Sequence, residues 1–248
     1  MLKRNMELNR PFIYKSLKEH VYDFLREQLS RGNILPGSLI NLEKTARELG
    51  VSKTPLRDAL LQLEMEGFVR IIPRRGVVVN VLTLKDIKDF YQIIGSLEAL
   101  AVLVSYPKMK TLQLKEMERL NKEMKLALDK DNFDLYYEKN LKFHNTYLNL
   151  CDNKHLIKIV NTLKKRLYDF PRQKGYLKEW EENSIKEHQE FLRLLKEGKP
   201  KQAAEFMRDV HWSFDIQKKY IVKYYPLEEY QNKLREFLGE KHQEERIG

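Results

Sequence analysis

The sequence predicts a mainly α-helical protein built in two units. A short helix, a tight turn and a second helix, followed by a change to extended periodicity, occupy the first third of the chain. Helical periodicity alone then runs from residue 86 to about residue 220, and no Gly/Ser-rich linker separates the two stretches. At 248 residues and 42% hydrophobic content the chain is long enough for two ordinary domains with real cores, which argues against a disordered protein.

Residues 14–30 place Leu17, Val21, Phe24, Leu25 and Leu29 at helical spacing, with Lys18, Glu19, Arg26 and Glu27 outward. Turn residues 33–37 follow. Asn41 is a natural cap for a short helix that reaches Glu48 and stops at Gly50. A second helix must begin within three residues, and Thr54 as N-cap with Pro55 at the first helical position starts it; Leu56, Leu60 and Leu63 are its inward stripe up to Gly67. This is a helix-turn-helix. Two extended runs, 68–72 and 77–81, then flank Pro73-Arg74-Arg75-Gly76, a β-hairpin with Gly76 expected at the tight turn. A hairpin directly after a helix-turn-helix is a wing.

Residues 82–85 are a short junction in which Thr83 can cap the next helix. One face of that helix carries Ile87, Phe90, Tyr91, Ile94, Leu97, Ala101 and Val104. Five further helices are expected over 112–128, 133–150, 156–170, 180–196 and 201–220, with turns at Pro107, 129–132, 152–153, Pro171 and 198–200. The sum is an antiparallel all-helical bundle of about six helices. The domain reading is 12–81 for the winged helix, 84–222 for the bundle and 223–248 for a charged tail.

Charge narrows the partner. The net charge is +10, and the first 80 residues hold fourteen Lys/Arg against nine Asp/Glu, which supplies half of that excess. A polyanion is favoured over an acidic small substrate. Lys53 and Arg57 stand at the start of the second helix of the motif, where a recognition helix offers its first turns to base edges in the major groove. Ser52 and Thr54 can donate to phosphates or bases, and Arg74 and Arg75 at the hairpin tip can reach a phosphate or the minor groove. Cys151 is the single cysteine, so neither an internal disulfide nor a zinc finger is available, which fits a reducing cytoplasm. The apolar run 97–104 is broken by Glu98 and is far short of the roughly 20 residues that cross a bilayer, so no membrane partner is expected.

The run from Leu49 to Val69, with Gly50-Val51-Ser52-Lys53-Thr54-Pro55-Leu56-Arg57-Asp58 at its heart and Pro73-Arg74-Arg75-Gly76 after it, resembles the winged helix of GntR-type regulators over residues 14–81. The resemblance implies that Ser52, Lys53, Thr54 and Arg57 touch double-stranded operator DNA, with Gly76 at the wing tip. Lys53 replaces a more usual arginine. Glu43 stands where the family often has a basic residue on phosphate.

Of the six histidines, three stand out. Asn140 and His144 are four apart and share a helix face, while His188 and His211 sit mid-way along two later helices beside apolar neighbours. Imidazoles from three helices can converge on a metal inside a bundle, or can simply pack there. Residues 84–222 resemble the all-helical FCD domain of the FadR-like branch in its metal-binding form, whose Asp-x-x-Phe-His motif is met by Asn140-Leu141-Lys142-Phe143-His144, joined by His188 and His211. The resemblance implies a divalent metal, zinc or nickel, held by Asn140, His144, His188 and His211, with an amide in place of the usual carboxylate. It also implies a homodimer and a small carboxylate effector that completes the metal's shell. Tyr91, Arg166 and Tyr168 are candidates to line the pocket; Ile94 occupies the place of an arginine that many relatives carry.

The expected function is a transcription regulator, a repressor, controlled by that effector. Two other readings stay open: a metal-dependent hydrolase, which three histidines and an open coordination position could support, and a regulator whose bundle is a metal-free dimerisation module. His20, His155 and His242 are expected to take no part in a metal site.

Overall fold

The computed structural model describes residues 15–168, 176–225 and 232. The starting residues 12–14 of the first domain, the turn at Pro171, the helix end at 169–170, His242 and most of the tail lie outside the described residues.

The first unit is a helix-turn-helix with a three-stranded wing. Helix α1 (Leu17–Ser30) opens with a capping box in which Ser16 accepts from the Glu19 amide and the Glu19 carboxylate accepts from Ser16. Helix α2 (Leu42–Glu48) is capped by Asn41, whose side-chain oxygen accepts from the amides of Glu43 and Lys44. Helix α3 (Lys53–Met65) begins one residue after Ser52, so Ser52 and not Thr54 is its N-cap, and Pro55 is its third residue. The reason is that the first-turn amides have no intrahelical acceptor, so proline is tolerated at more than one of these positions and does not pin the start. Leu25, Leu56 and Leu63 are fully buried where α1 packs on α3.

The wing pairs β2 (Val69–Ile72) with β3 (Gly76–Val79), and β3 also pairs with β1 (Leu39–Ile40), giving the order β1-β3-β2. A two-residue strand has no periodicity to read, which is why β1 was not expected. Gly76 is not the turn residue either: the Arg75 amide donates to the Ile72 carbonyl, Arg74 takes the left-handed conformation at φ 63°, and Gly76 already pairs with Ile72. Pro73 presets the second position of that turn, and its third position demands a positive φ.

The second unit contains seven α-helices among the described residues. Helix α4 (Leu84–Ser105) is its axis, contacting α6, α7, α9 and α10. It is followed by α5 (Thr111–Asp129), α6 (Phe133–Leu148), α7 (Lys154–Tyr168) and α8 (Lys178–Lys196). The single helix expected over 201–220 is broken. It consists of α9 (Pro200–Phe206), a π-helical segment Met207–His211, and α10 (Phe214–Tyr224), which restarts at Ser213. No Gly or Pro marks the break, so nothing local announced it. The two units keep separate cores, one from Val21 to Val79 and one from Leu82 to Tyr225. No described helix is long and apolar enough to cross a membrane.

Between the cores, Thr83 caps α4. Its hydroxyl accepts from the Asp86 amide at 3.0 Å and the Asp86 carboxylate accepts from the Thr83 amide at 2.8 Å. Thr83→Ala takes away the acceptor of the Asp86 amide and the hydroxyl that donates to the Asp86 carboxylate. It should cost about 1 kcal/mol and lower the unfolding midpoint by about 2–4 °C in a thermal melt of the full chain.

Candidate functional site

Three helical elements deliver the imidazoles. His144 comes from the middle of α6, His188 from α8, and His211 from the end of the π-helical segment. Their ring centroids form a near-equilateral triangle with sides of 5.2, 5.2 and 5.0 Å. One ligand atom from each lies within 4.8 Å of the others, and no further Cys, Asp or Glu joins the group among the described residues. His20 and His155 are exposed and stand apart from it.

Each ring is oriented through Nδ1. His144 Nδ1–H donates to Glu98 Oε2 at 3.0 Å, His188 Nδ1–H to Asn121 Oδ1 at 3.3 Å, and His211 Nδ1–H to Glu187 Oε2 at 2.7 Å. Because carboxylates are acceptors, and because the Asn121 amide nitrogen is spent on the Ile185 carbonyl, the protons belong on Nδ1. The Nε2 lone pairs are then left for a further partner. Nε2 of His144 and of His188 are buried without a partner, as is Oδ1 of Asn140 one turn before His144. A buried polar atom without a partner is costly, and His144 and His188, grouped with His211, make the donor set of a metal site whose outer contacts are already made. Phe143 stacks on His188 with centroids 4.2 Å apart and fixes the ring plane.

Electrostatics keeps the ligands ready. Burial lowers the His144 pKa to about 4, with Lys164 adding to the effect, and burial likewise holds His188 well below its ordinary value. Both rings are neutral at neutral pH, the state that binds metal. Burial opposes ionisation of Glu98, yet Lys164 and His144 together hold its carboxyl well below the usual carboxylate range. Lys164, buried on α7, makes the ion pair with Glu98 Oε1. Glu98 Oε2 also accepts from Tyr147 at 2.6 Å and from Trp212 Nε1 at 2.9 Å. Glu187 is held in turn by Asn183 and by Gln217, and Gln217 accepts from Trp180.

Beside the triad lies a cavity of about 50 Å³ whose walls include Tyr91, Asn140, Tyr168, Glu181, His211 and Gln217. That is room for about three or four water-sized groups. Tyr91 and Tyr168 therefore stand on the cavity and Asn140 bridges cavity and triad. Arg166 does not line it: its guanidinium lies over the Phe90 ring, 4.7 Å from the centroid, and against Gly67 of the first unit. The reason is helical phase, since Leu167 and Tyr168 take the inward positions. Sequence reasoning passed over Glu98, Asn121, Lys164, Glu187 and Gln217. A signal existed for Glu98, a lone carboxylate inside an apolar helix face; the others become visible only once the helices are packed.

The first unit presents the basic residues. Ser52, Lys53, Thr54 and Arg57 are exposed on the first turns of α3, and the Ser52 hydroxyl is not consumed by capping. Arg74 and Arg75 are exposed at the wing tip, next to the half-buried Gly76. Lys53 Nζ pairs with Glu43 at 2.6 Å, both ends well exposed, so the acidic departure at Glu43 carries its own counter-ion. Exposed pairs of this kind hold by about 0–1 kcal/mol and yield to a phosphate.

Two outcomes follow. Gly95 on α4 lets the π-helical segment approach: a Cβ there would sit 3.0 Å from Trp212 Cβ and 3.4 Å from the Arg208 backbone. Gly95→Ala should push His211 out of register and lower zinc affinity by about 10- to 100-fold in a competitive chelator titration, with helix content retained. In the metal-free protein, unfolding frees His144 to take a proton at its ordinary 6.5 while the folded ring resists until about 4. Bundle stability is therefore complete above pH 6.5 and falls as pH drops through that window; denaturant melts at pH 7.5, 5.5 and 4.5 would show it, and saturating zinc should delay the fall.

Comparison with known proteins agrees with this geometry. The pattern described as "Bacterial regulatory proteins, gntR family" matches residues 17–79 and the FCD domain matches residues 89–211. The HTH-type transcriptional regulator YdhC of Bacillus subtilis (strain 168) is 28% identical over 198 residues, covering 79% of this chain and 88% of that protein. The gluconate operon transcriptional repressor of the same organism is 27% identical over 197 residues, covering 77% and 79%. The solved structure of McbR/YncC of Escherichia coli shares the fold at a TM-score of 0.66 and 22% identity, over 88% of this chain and all but 1% of that one. The buried His144, His188 and His211 triad is of the kind that forms the FCD metal site. With the winged helix, the bundle and the triad in place, the chain belongs to the GntR family and carries an FCD C-terminal domain: it is a DNA-binding transcription regulator, not an enzyme.

Proposed function

We propose that this regulator is a repressor that binds a palindromic operator as a homodimer and answers to a small carboxylate bound at a divalent metal. The observation that carries the metal is the set of buried, unpartnered acceptors, His144 Nε2, His188 Nε2 and Asn140 Oδ1, whose outer contacts are already satisfied. Zinc or nickel suits three imidazoles. A bound ion would supply a positive centre for an anion. Asn140 is neutral, so it subtracts nothing from that charge, and the cavity beside it, with Tyr91 and Tyr168 on its walls, offers hydroxyls to a carboxylate's remaining oxygen atoms. Ile94 is fully buried, so α4 contributes no guanidinium at that position.

In this reading, residues 12–81 bind DNA and 84–222 bind metal and effector, followed by the tail 223–248. Arg57 reads a base edge, Ser52, Lys53 and Thr54 meet the backbone or bases, and Arg74, Arg75 and Gly76 place the wing. Support for a dimer comes from α4, where Ile93, Leu100, Leu103 and Val104 leave an apolar stripe about 40–50% exposed on an otherwise packed helix. Repression is suggested by the gluconate operon repressor among the relatives. A cytoplasmic location follows from the DNA partner.

The test uses operator fragments recovered by selection from random DNA with the full-length protein. Arg57→Ala should lose about 1–3 kcal/mol for the selected operator and relax its preference at one base position; unchanged selectivity would show that α3 is not the reading helix. A panel of small carboxylates, scanned by thermal shift with and without zinc, should stabilise the wild type only when zinc is present, and His188→Ala should abolish that shift while still binding operator. Effector and operator must then alter each other's affinity by the same factor. A carboxylate shift that persists without metal would refute the metal-borne effector site.

A further inference from the structure

The two units are joined through residues 82–85, and every closely packed pair of elements lies within one unit or the other. Arg166 of α7 spans this otherwise sparse boundary. Its guanidinium rests on Phe90 of α4 and presses on Gly67, which sits at φ 81° immediately after the C-cap of the recognition helix α3. The fit is close enough that a Cβ at position 67 would lie 2.9 Å from Arg166 Cζ and 2.9 Å from one of its terminal nitrogens.

The corner that Arg166 meets is itself a knot. The Gly67 amide donates to the Glu64 carbonyl and closes α3, while the Gly67 carbonyl accepts from the Asn80 side chain at 2.8 Å. Asn80 also donates to the Val69 carbonyl at 3.1 Å and, through its own amide, to Phe68. The end of α3, the start of β2 and Asn80, two residues before the junction, are therefore one hydrogen-bonded unit. A guanidinium at a helix C-terminus is also favoured by the helix dipole. Asp86, in the Thr83 capping box, is the carboxylate whose field favours the Arg166 charge against the effect of burial.

The other end of the same helical turn belongs to the metal centre. Lys164, two residues before Arg166, is buried in its ion pair with Glu98, and Glu98 is what orients His144. Within one turn of a hydrogen-bonded helix these positions are rigidly related, so α7 cannot shift Lys164 against Glu98 without shifting Arg166 against Gly67.

We propose that Arg166 is the latch between the two units, a positioning residue through which α7 carries the state of the triad to the C-terminal end of the recognition helix. The route His144–Glu98–Lys164–Arg166–Gly67 runs through space, independently of the covalent junction. The transmission part rests on the reading that the triad holds a divalent metal; the docking part does not.

Hydrogen exchange of the full-length protein separates the two, measured on peptides covering residues 64–71 in wild type, Arg166→Ala and Arg166→Lys, with and without zinc. Lysine keeps the charge and the stem but loses the planar group that lies on Phe90, so it guards against a merely misfolded alanine variant. Without zinc, both variants should exchange faster than wild type at 67–70 by about tenfold, equivalent to about 1.4 kcal/mol of opening, while α5 exchanges as before. With zinc, the corner should slow in wild type and not in either variant. Equal exchange of the corner in wild type and variants without zinc would overturn the docking. Equal slowing by zinc in all three would overturn the route and leave the 82–85 junction as the path. If zinc protects the peptides bearing His144, His188 and His211 but never the corner, the route is likewise overturned and the metal site stands. If zinc protects none of those peptides, the metal reading and its transmission fail together, and the zinc-free comparison alone decides the latch.

Discussion

The carboxylate of Glu98 is the group on which the second unit depends. It sits in the middle of the central helix α4 with no exposed surface, and a bare charge there would be prohibitively costly. Its survival requires partners from several directions: Lys164 from α7, His144 and Tyr147 from α6, and Trp212 from the segment that follows His211. The four partners come from three separate parts of the chain, so Glu98 fixes how those elements meet. Removing one partner of such a cluster leaves an uncompensated charge, which is why buried pairs are strict about geometry even when they add little net stability.

The same arrangement decides what the imidazoles can do. Acceptors on every Nδ1 place the proton there and leave Nε2 as the free acceptor, so the tautomers are chosen by the surroundings and not by a metal. The π-helical segment contributes the extra width that turns His211 inward, and Gly95 leaves it the space. Wide turns of this sort are costly in a helix and persist where a side chain must be re-aimed. His144 and His188, kept neutral by burial, and the uncharged Asn140 would leave a bound divalent ion with most of its charge.

In the first unit the exposed cations are modestly arranged: Lys53 is already engaged with Glu43, while Arg74 is held at positive φ at the tip of the wing. Placement matters more than number here, because phosphate contacts set register while base contacts set specificity. No two described elements from different units are closely packed, and the contact of the Arg166 guanidinium with the Gly67 corner is one that crosses between them.

Local chemistry determined much of this protein. Asn41 and Thr83 cap where their side chains require, Gly50 stops α2, the switch from a period of 3.6 to one of 2 marks the wing, and the spacing of Asn140 and His144 puts both on one face of α6. These features depend on interactions within a few residues, which a sequence displays directly. Elsewhere local chemistry admitted more than one answer, or distant packing decided. The start of α3 moved to Ser52 because a proline is accepted throughout the first turn; the left-handed turn residue proved to be Arg74 and not Gly76; the helix over 201–220 broke at a π-turn that no local residue marks. Lys164, Glu187, Asn121 and Gln217 look like ordinary polar residues until burial pairs them with groups 24 to 67 positions away. Arg166 turned from the pocket to the domain boundary for the same reason: periodicity tells which face of a helix a residue occupies, and only the fold tells what that face meets.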